Sequence, residues 1–295
     1  MASRRDIERR IRSVKNTRKI TRAMELVAAA RLRRAEARIE AMRPYAERMR
    51  ELMAGTARAA ASFRGLPLLQ QREVRSVAVV PVTGDRGLAG AFNGQILRRS
   101  FAVERDLRAA RTDVRWLAVG KKGRSTLRFR RYEVDRAWTG FTDRPSYADA
   151  QAIAHRLAEL YAEQEIDRAI VIYNRYHSPL LQTVEAQDVL PISQELLAHD
   201  DDSAQHALLG DFIYEPEPEQ ILERLLPVYL ETELYRALLE SAASEHGARM
   251  TAMRNASKNA GELIDRLTLE MNRARQAEIT QEILEVVAGA DALTQ

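Results

Sequence analysis

The residues best placed to do chemistry lie in a turn. Gly84-Asp85-Arg86-Gly87-Leu88-Ala89-Gly90 follows the apolar run Val77 to Val82 and precedes a helical pattern. A glycine-rich turn between strand and helix is where backbone N–H groups can cradle a phosphate. The spacing here is G-x-x-G-x-x-G, which matches neither the dinucleotide fingerprint nor the P-loop. A tight turn without a ligand is therefore the better reading. The histidines are His155, His177, His199, His206 and His246. His199, beside Asp200, Asp201 and Asp202 and seven residues before His206, is the only cluster. A solvated loop explains it better than a metal site, which needs convergent ligands on rigid elements. No Ser–His–Asp constellation stands out, so no catalytic residue, cofactor site or metal site is expected. The absence of cysteine excludes disulfides, thiolate metal sites and cysteine nucleophiles together.

Arginine is the remaining chemical theme. Of 46 basic residues only five are Lys. Arginine crowds the first segment at Arg4, Arg5, Arg9, Arg10, Arg12, Arg18, Arg22, Arg31, Arg33, Arg34 and Arg38. One reading is a phosphate-binding stripe for nucleic acid. Against it, stacking aromatics are absent there and Glu is interleaved. A second is docking against an acidic protein surface, where the guanidinium gives directional pairing. A third is a solvated face that contributes little. The far end of the chain carries Arg273-Ala274-Arg275-Gln276 and then Ile279, Thr280, Glu282, Ile283, Val286 and Val287. It reads either as a tip enclosed by a partner or as a fraying terminus.

These residues must be held by long helices. From Ser3 to Ala61 the sequence is rich in Ala and Arg, with no Gly before Gly55 and one proline, Pro44, expected to bend it. Ser3 is a candidate cap and Asp6 suits the first turn. Ile7, Ile11 and Val14, then Ile20, Met24 and Val27, make a narrow stripe suited to a coiled-coil seam. The break between the two triplets argues against a permanent zipper dimer. About 59 residues of helix would span roughly 88 Å. A second helix is expected from about Glu219 to Ala288, with Pro218 near its first position and Pro227 a possible bend. Its stripe runs Ile264, Leu267, Met271, Ala274, then shifts to Ile279, Ile283, Val286 and Ala290.

Between them, residues 74–192 alternate strand and helix. Strands are expected at Val77–Val82, Val114–Val119, Tyr132–Ala137 and Ala169–Tyr173, with helices at 93–110, 121–130 and 146–165. That pattern implies a parallel sheet with covering helices. Leu181 to Ile192 reads as a last strand, antiparallel at an edge. The fold class is thus mixed α/β: a long antiparallel coiled coil of the N- and C-terminal helices with an inserted Rossmann-like α/β lobe. The expected divisions are a helix at 1–62, a linker at 63–73, the lobe at 74–192, a linker at 193–218 and a helix at 219–295. The expected shape is a rod with a globular side lobe.

Composition bounds the rest. At 45% hydrophobic, 30% charged and net charge +4, 295 residues can bury a core and are not disordered by composition. The longest uncharged run, Gly87 to Leu97, is too short to cross a membrane. No signal-peptide core follows the first basic residues, and Asp6 and Glu8 argue against a transit peptide.

The stretch Ile11-Arg12-Ser13-Val14-Lys15-Asn16-Thr17-Arg18-Lys19-Ile20-Thr21-Arg22-Ala23-Met24-Glu25-Leu26-Val27-Ala28 resembles the gamma subunit of the F-type ATP synthase. So do Ile279-Thr280-x-Glu282-x-x-Glu285-x-x-x-Gly289-Ala290 and Asp85-Arg86-Gly87-Leu88-x-Gly90-x-Phe92-Asn93. In the last, the family often has Cys where this chain has Ala89 and Gly where it has Ala91. The Cys-bearing insertion of chloroplast relatives is missing, so thiol regulation of that kind is not implied. The resemblance covers nearly the whole chain. It implies a rotor shaft that performs no bond chemistry itself. The implied partners are a ring of three alpha and three beta subunits, the epsilon subunit and the c-subunit ring, with no nucleic acid. The implied location is peripheral, on the cytoplasmic face of the bacterial cell membrane, without insertion. Carried over by motif, Met24, Arg249, Gln276, Thr280 and Glu282 are the expected contacts with the moving segments of the beta subunits, with Arg249 level with Met24 across the coiled coil. The alternatives are an Arg-rich nucleic-acid-binding rod and a nucleotide-using enzyme housed in the lobe.

Overall fold

In the central lobe, side chains alternate along each strand between two apolar faces, and that alternation builds the molecule's main core. The structure, a computed structural model, describes residues 4–60, 65–179, 181–193 and 216–293, the last five of these for their backbone. The expected cap Ser3 and the His199–His206 cluster lie outside the described residues, as does most of the 193–218 linker. The chain forms two compact units, residues 1–29 with 249–295, and residues 30–248.

The elements, in chain order, are α1 (Arg4–Ala59), a 3-10 turn (Pro67–Leu69), β1 (Ser76–Pro81), α2 (Phe92–Ala109), β2 (Asp113–Val119), α3 (Lys121–Phe129), β3 (Val134–Trp138), α4 (Tyr147–Ala162), β4 (Arg168–Tyr176), β5 (Gln182–Leu190) and α5 (Pro218–Leu293). Both long helices are continuous through their internal prolines, Pro44 and Pro227. Pro218 opens α5, where its missing N–H removes no helical bond.

The second unit holds the sheet, in the order β3-β2-β1-β4-β5. β1 pairs in parallel with β2 and β4, β2 pairs in parallel with β3, and β5 closes the edge antiparallel to β4. Val77 and Val79 point to one face, where Phe92 and Ile96 of α2 and Leu127 of α3 cover them. Ala78 and Val80 point to the other, packed with Leu157 and Leu160 of α4, Met49 and Met53 of α1 and Leu226 and Leu230 of α5. A capping box of Ser146 and Asp149 starts α4. The expected strand at Tyr132–Ala137 begins later, at Val134. Tyr132 instead follows Arg131, which holds φ at +63°, and packs with Phe101 and Trp116.

The first unit is an antiparallel pair of helix segments. Ile7 and Ile11 of α1 cluster with Ile264 and Leu267 of α5. Further along, the Thr21 and Ser257 hydroxyls meet at 2.7 Å, and Arg254 Nε lies 3.1 Å from Glu25 Oε1. The expected seam through Ile20, Met24 and Val27 is corrected here. Ile20 is 60% and Val27 54% exposed, while Thr21, Glu25 and Ala28 are buried and Met24 is half-buried. The inward face has turned by one residue. Small side chains let the two backbones approach, and Arg254 supplies the charge that makes a buried Glu25 tolerable.

Candidate functional site

The Gly84–Gly90 turn sits at the carboxyl end of β1, the place where open α/β sheets bind ligands. Here the chain's own groups occupy it. Asp85 Oδ1 accepts the Lys121 N–H at 3.0 Å, at the start of α3. Its Oδ2 accepts the N–H groups of Gly140 at 2.7 Å and Thr142 at 3.2 Å. Asp85 thus stands where a phosphate would stand at a helix N-terminus. Asn93 Oδ1 takes the Gly84 N–H at 2.8 Å. On the β1–β4 side, α5 fills the crevice. Ser241 Oγ donates to the Val82 carbonyl at 3.3 Å and Ser244 Oγ to the Asn174 carbonyl at 3.1 Å. The buried Glu245 carboxyl lies so close to Gly84 that a Cβ there would meet it at 2.8 Å. The turn is a brace, and the phosphate-cradle reading finds no room.

Elsewhere the second unit holds a buried polar network. Arg236 pairs with Glu233 at 2.7 Å and Glu240 at 3.0 Å, and its Nη1 approaches the Tyr173 hydroxyl at 3.5 Å. Burial raises the Glu240 carboxyl above its ordinary range, with Arg236 pulling against that rise. Burial likewise pushes the Tyr173 phenol up to about 12. The network ties α5 to β4 and β5 and presents no nucleophile with a base beside it. His155 lies 3.3 Å from Glu159, His177 2.9 Å from Thr183, and the buried His246 bonds the Asp143 carbonyl through Nε2 at 3.0 Å. Among the described residues no three His, Asp or Glu side chains converge on a metal position. Among them, too, no helix is long and apolar enough to cross a membrane.

The five residues singled out by motif all lie in the first unit, and they do not form one constellation. Met24 is half-buried and Arg249 is 8% exposed. The Thr21–Ser257 and Glu25–Arg254 contacts set a register in which Met24 stands level with Arg254. Arg249 lies five residues further along α5, about 7.5 Å away along the axis. The expectation that Arg249 faces Met24 is corrected accordingly. Gln276, Thr280 and Glu282 lie about 40–50 Å from Arg249 along α5, at a rise of about 1.5 Å per residue.

There the pairing of the helices runs out. Arg4 Nε meets Glu278 Oε2 at 3.0 Å, and every side chain from 279 to 288 is exposed. That stretch includes Ile283 at 58%, Leu284 at 62% and Val286 at 72%. Thr280 Oγ returns its proton to the Gln276 carbonyl at 2.9 Å, so it adds no outward donor in this state. Thr280 and Glu282 point about 160° apart around the helix. Contacts would have to reach the helix from several sides.

Four of the eleven arginines in the stripe are matched from within the chain. Arg4 pairs with Glu278, Arg9 with Asp6, Arg22 with Glu25 and Arg31 with Asp143. These pairs interrupt the stripe at four positions along α1. The Glu25 carboxyl shows the same matching: burial pushes it up, but the hydrogen bonds from Arg254 and Arg22 outweigh burial and hold it below its ordinary value.

The profile of the ATP synthase family matches residues 3–293. The ATP synthase gamma chain of Rubrobacter xylanophilus is 47% identical over 293 residues, covering 99% of both chains. This chain belongs to the ATP synthase gamma chain family. The gamma chain of Nostoc punctiforme is 44% identical and covered in full, as is this chain. Among solved structures, the central stalk and c-ring of the Tetrahymena thermophila mitochondrial ATP synthase contains a chain 28% identical to this one. It has a TM-score of 0.59, with 81% of this chain and 99% of that one covered. The OSCP/F1/c-ring assembly of the Euglena gracilis mitochondrial ATP synthase contains a chain with the same fold at TM-score 0.70 and 19% identity, covering 98% of this chain and 94% of that one. The gamma-chain family accounts for both long helices and the lobe, and the nucleic-acid alternative gains no support.

Proposed function

We propose that this chain is the turning central shaft of a bacterial F-type ATP synthase. It couples proton flow through the membrane sector to the conformational cycle of the catalytic beta subunits, and it is itself non-catalytic. Residues 1–62 and 219–295 act as the shaft strands, joined through 63–73 and 193–218 to the lobe at 74–192. Three alpha and three beta subunits surround the shaft. The epsilon subunit and the c-subunit ring meet it outside that ring, on the cytoplasmic face of the cell membrane. The observation that carries this reading is the α5 stretch 279–288, exposed on every side and apolar at Ile283, Leu284 and Val286. An apolar rod tip of that kind fits a surrounding sleeve. The filled crevice beside Gly84 agrees with a lobe that grips rather than binds substrate.

An asymmetric shaft presents a different face to each beta subunit. Each site is thereby biased toward a different state, and turning the shaft changes which state is favoured. Met24, Arg249, Gln276, Thr280 and Glu282 are the proposed contacts. The test is co-expression with the alpha and beta subunits of the same genome, followed by mass and ATPase measurement. One copy of this chain per three alpha–beta pairs, with ATP hydrolysis that this chain alone lacks, supports the reading. Exclusion from that complex overturns it.

A further inference from the structure

One buried carboxylate in the second unit lacks a cation of its own. Glu233 and Glu240 of α5 are 8% and 7% exposed, and Arg236 stands between them. Arg236 Nε and Nη2 lie 3.2 Å and 2.7 Å from Glu233 Oε2, and Nη2 also donates to Gln187 Oε1 at 3.0 Å. Its Nη1 donates to Glu240 Oε1 at 3.0 Å and approaches the Tyr173 hydroxyl at 3.5 Å. Every nitrogen of the guanidinium is thus engaged. Glu233 Oε2 has a further donor, Gln187 Nε2 at 3.1 Å. Glu240 Oε2 is sealed from solvent and has no donor among the described residues. One cation between two buried carboxylates leaves one negative charge over.

The neighbouring elements do not supply the missing cation. β4 contributes Tyr173 and Arg175, and Arg175 Nη1 is spent on Glu185 of β5 at 3.1 Å. α1 contributes Arg43, Glu47 and Arg50, all exposed. With Tyr176, His177 and Tyr229 these groups line a cavity of about 680 Å³ that Glu240 also borders. A polar cavity of that size admits water to the carboxylate. Among the described residues no three His, Asp or Glu side chains converge on a metal position, and the arginines at the mouth repel a larger cation. A buried carboxylate without a charge partner neutralises by taking up a proton. Burial raises Glu240 above its ordinary range, Arg236 pulls against the rise, and Glu185 adds to it.

We propose that Glu240 Oε2 is a proton-binding site, filled in mildly acidic solution while the exposed carboxylates of the chain stay ionised, and that the bound proton tightens the hold of β4 and β5 on α5. The proton removes the surplus charge and turns Oε2 into a donor toward the cavity water. A folded chain that binds this proton more readily than the unfolded chain gains stability as pH falls. It loses that gain as pH rises through the folded value. The inference stands on the second unit alone and does not depend on the shaft reading.

The experiment is thermal unfolding of the full chain and its Glu240→Gln variant between about pH 5 and pH 8. Glutamine has the shape of the protonated carboxyl and cannot ionise. The variant should melt a few degrees above the unmodified chain at the upper end of this range, and the two should converge at the lower end. Glu233→Gln, which weakens the carboxylate that Arg236 and Gln187 both serve, should instead lower the melting temperature throughout. Infrared spectra at about pH 6, where ordinary carboxylates are ionised, give a direct readout. The unmodified chain should show the carbonyl stretch of a protonated carboxyl, shifted by isotope-labelled glutamate and absent from Glu240→Gln. Parallel pH profiles, a glutamine variant that is less stable at every pH or fails to fold, or no protonated-carboxyl band in the unmodified chain overturns the proposal.

Discussion

Gly120 backs directly onto Thr83. A methyl group at Gly120 would lie 2.0 Å from the Thr83 carbonyl oxygen, and the residue holds φ at +88°, where a side chain is strained in any case. The same threonine donates through Oγ to the Val119 carbonyl and accepts the Gly123 N–H, both at 2.8 Å. The Gly120→Ala variant therefore meets a backbone atom that cannot yield. It should lose at least about 3 kcal/mol of stability, combining overpacking with an unfavourable φ. Chemical denaturation of the full chain reads the loss.

Asp85 organises three loops through one carboxylate. Asp85→Ala would leave the Lys121, Gly140 and Thr142 N–H groups without their acceptor. Water can reach part of this half-exposed site, which limits the cost to about 2 kcal/mol. Hydrogen exchange should rise at Gly140 and Thr142 first. Unchanged protection at both would refute the bracing role.

Glu25 makes part of the chain's stability depend on pH. Its folded pKa lies below its ordinary 4.5, because the pairing with Arg254 and Arg22 overcomes burial. The folded chain thus binds this proton less readily than the unfolded one. The stabilisation is present at neutral pH and is lost as pH falls through the folded value. Glu25→Gln should lower the melting temperature at neutral pH and converge with the unmodified chain in acid. Both arginines are more than half exposed and can be solvated, so the neutral-pH loss should be about 1–2 kcal/mol.

The proposed shaft contacts divide by burial. Glu282 is exposed, so Glu282→Ala should leave the chain's own stability within about 0.5 kcal/mol while reducing proton-coupled ATP synthesis in membrane vesicles several-fold. Arg249 is 8% exposed, so Arg249→Ala should lower both stability and coupling. Met24→Lys adds a cation on a half-buried position and should slow rotation. Intact coupling in all three variants would remove these residues from the contact set.

The long elements were legible because their signals are local. Uninterrupted Ala- and Arg-rich sequence, apolar spacings of three and four, and glycine or proline at the boundaries marked α1, α5 and the alternating lobe. What escaped depends on partners far away in sequence. Glu25 is buried because Arg254 answers it, 229 residues on. Nothing near Ile20 or Val27 announces that these apolar residues face outward. Ser241, Ser244 and Glu245 look like a solvent face until the strand ends they touch are known. The proposed contact residues could be named only as motif positions, and their burial and separation could not be read, because register between two helices is set by both.

The filling of the β1–β4 crevice by α5 also sets what the lobe can accept. A sheet of this order offers its crevice to a small molecule, and here Ser241, Ser244 and Glu245 occupy that place. A ligand could enter there only by displacing the helix, so occupancy of the crevice and the lobe's hold on α5 exclude one another.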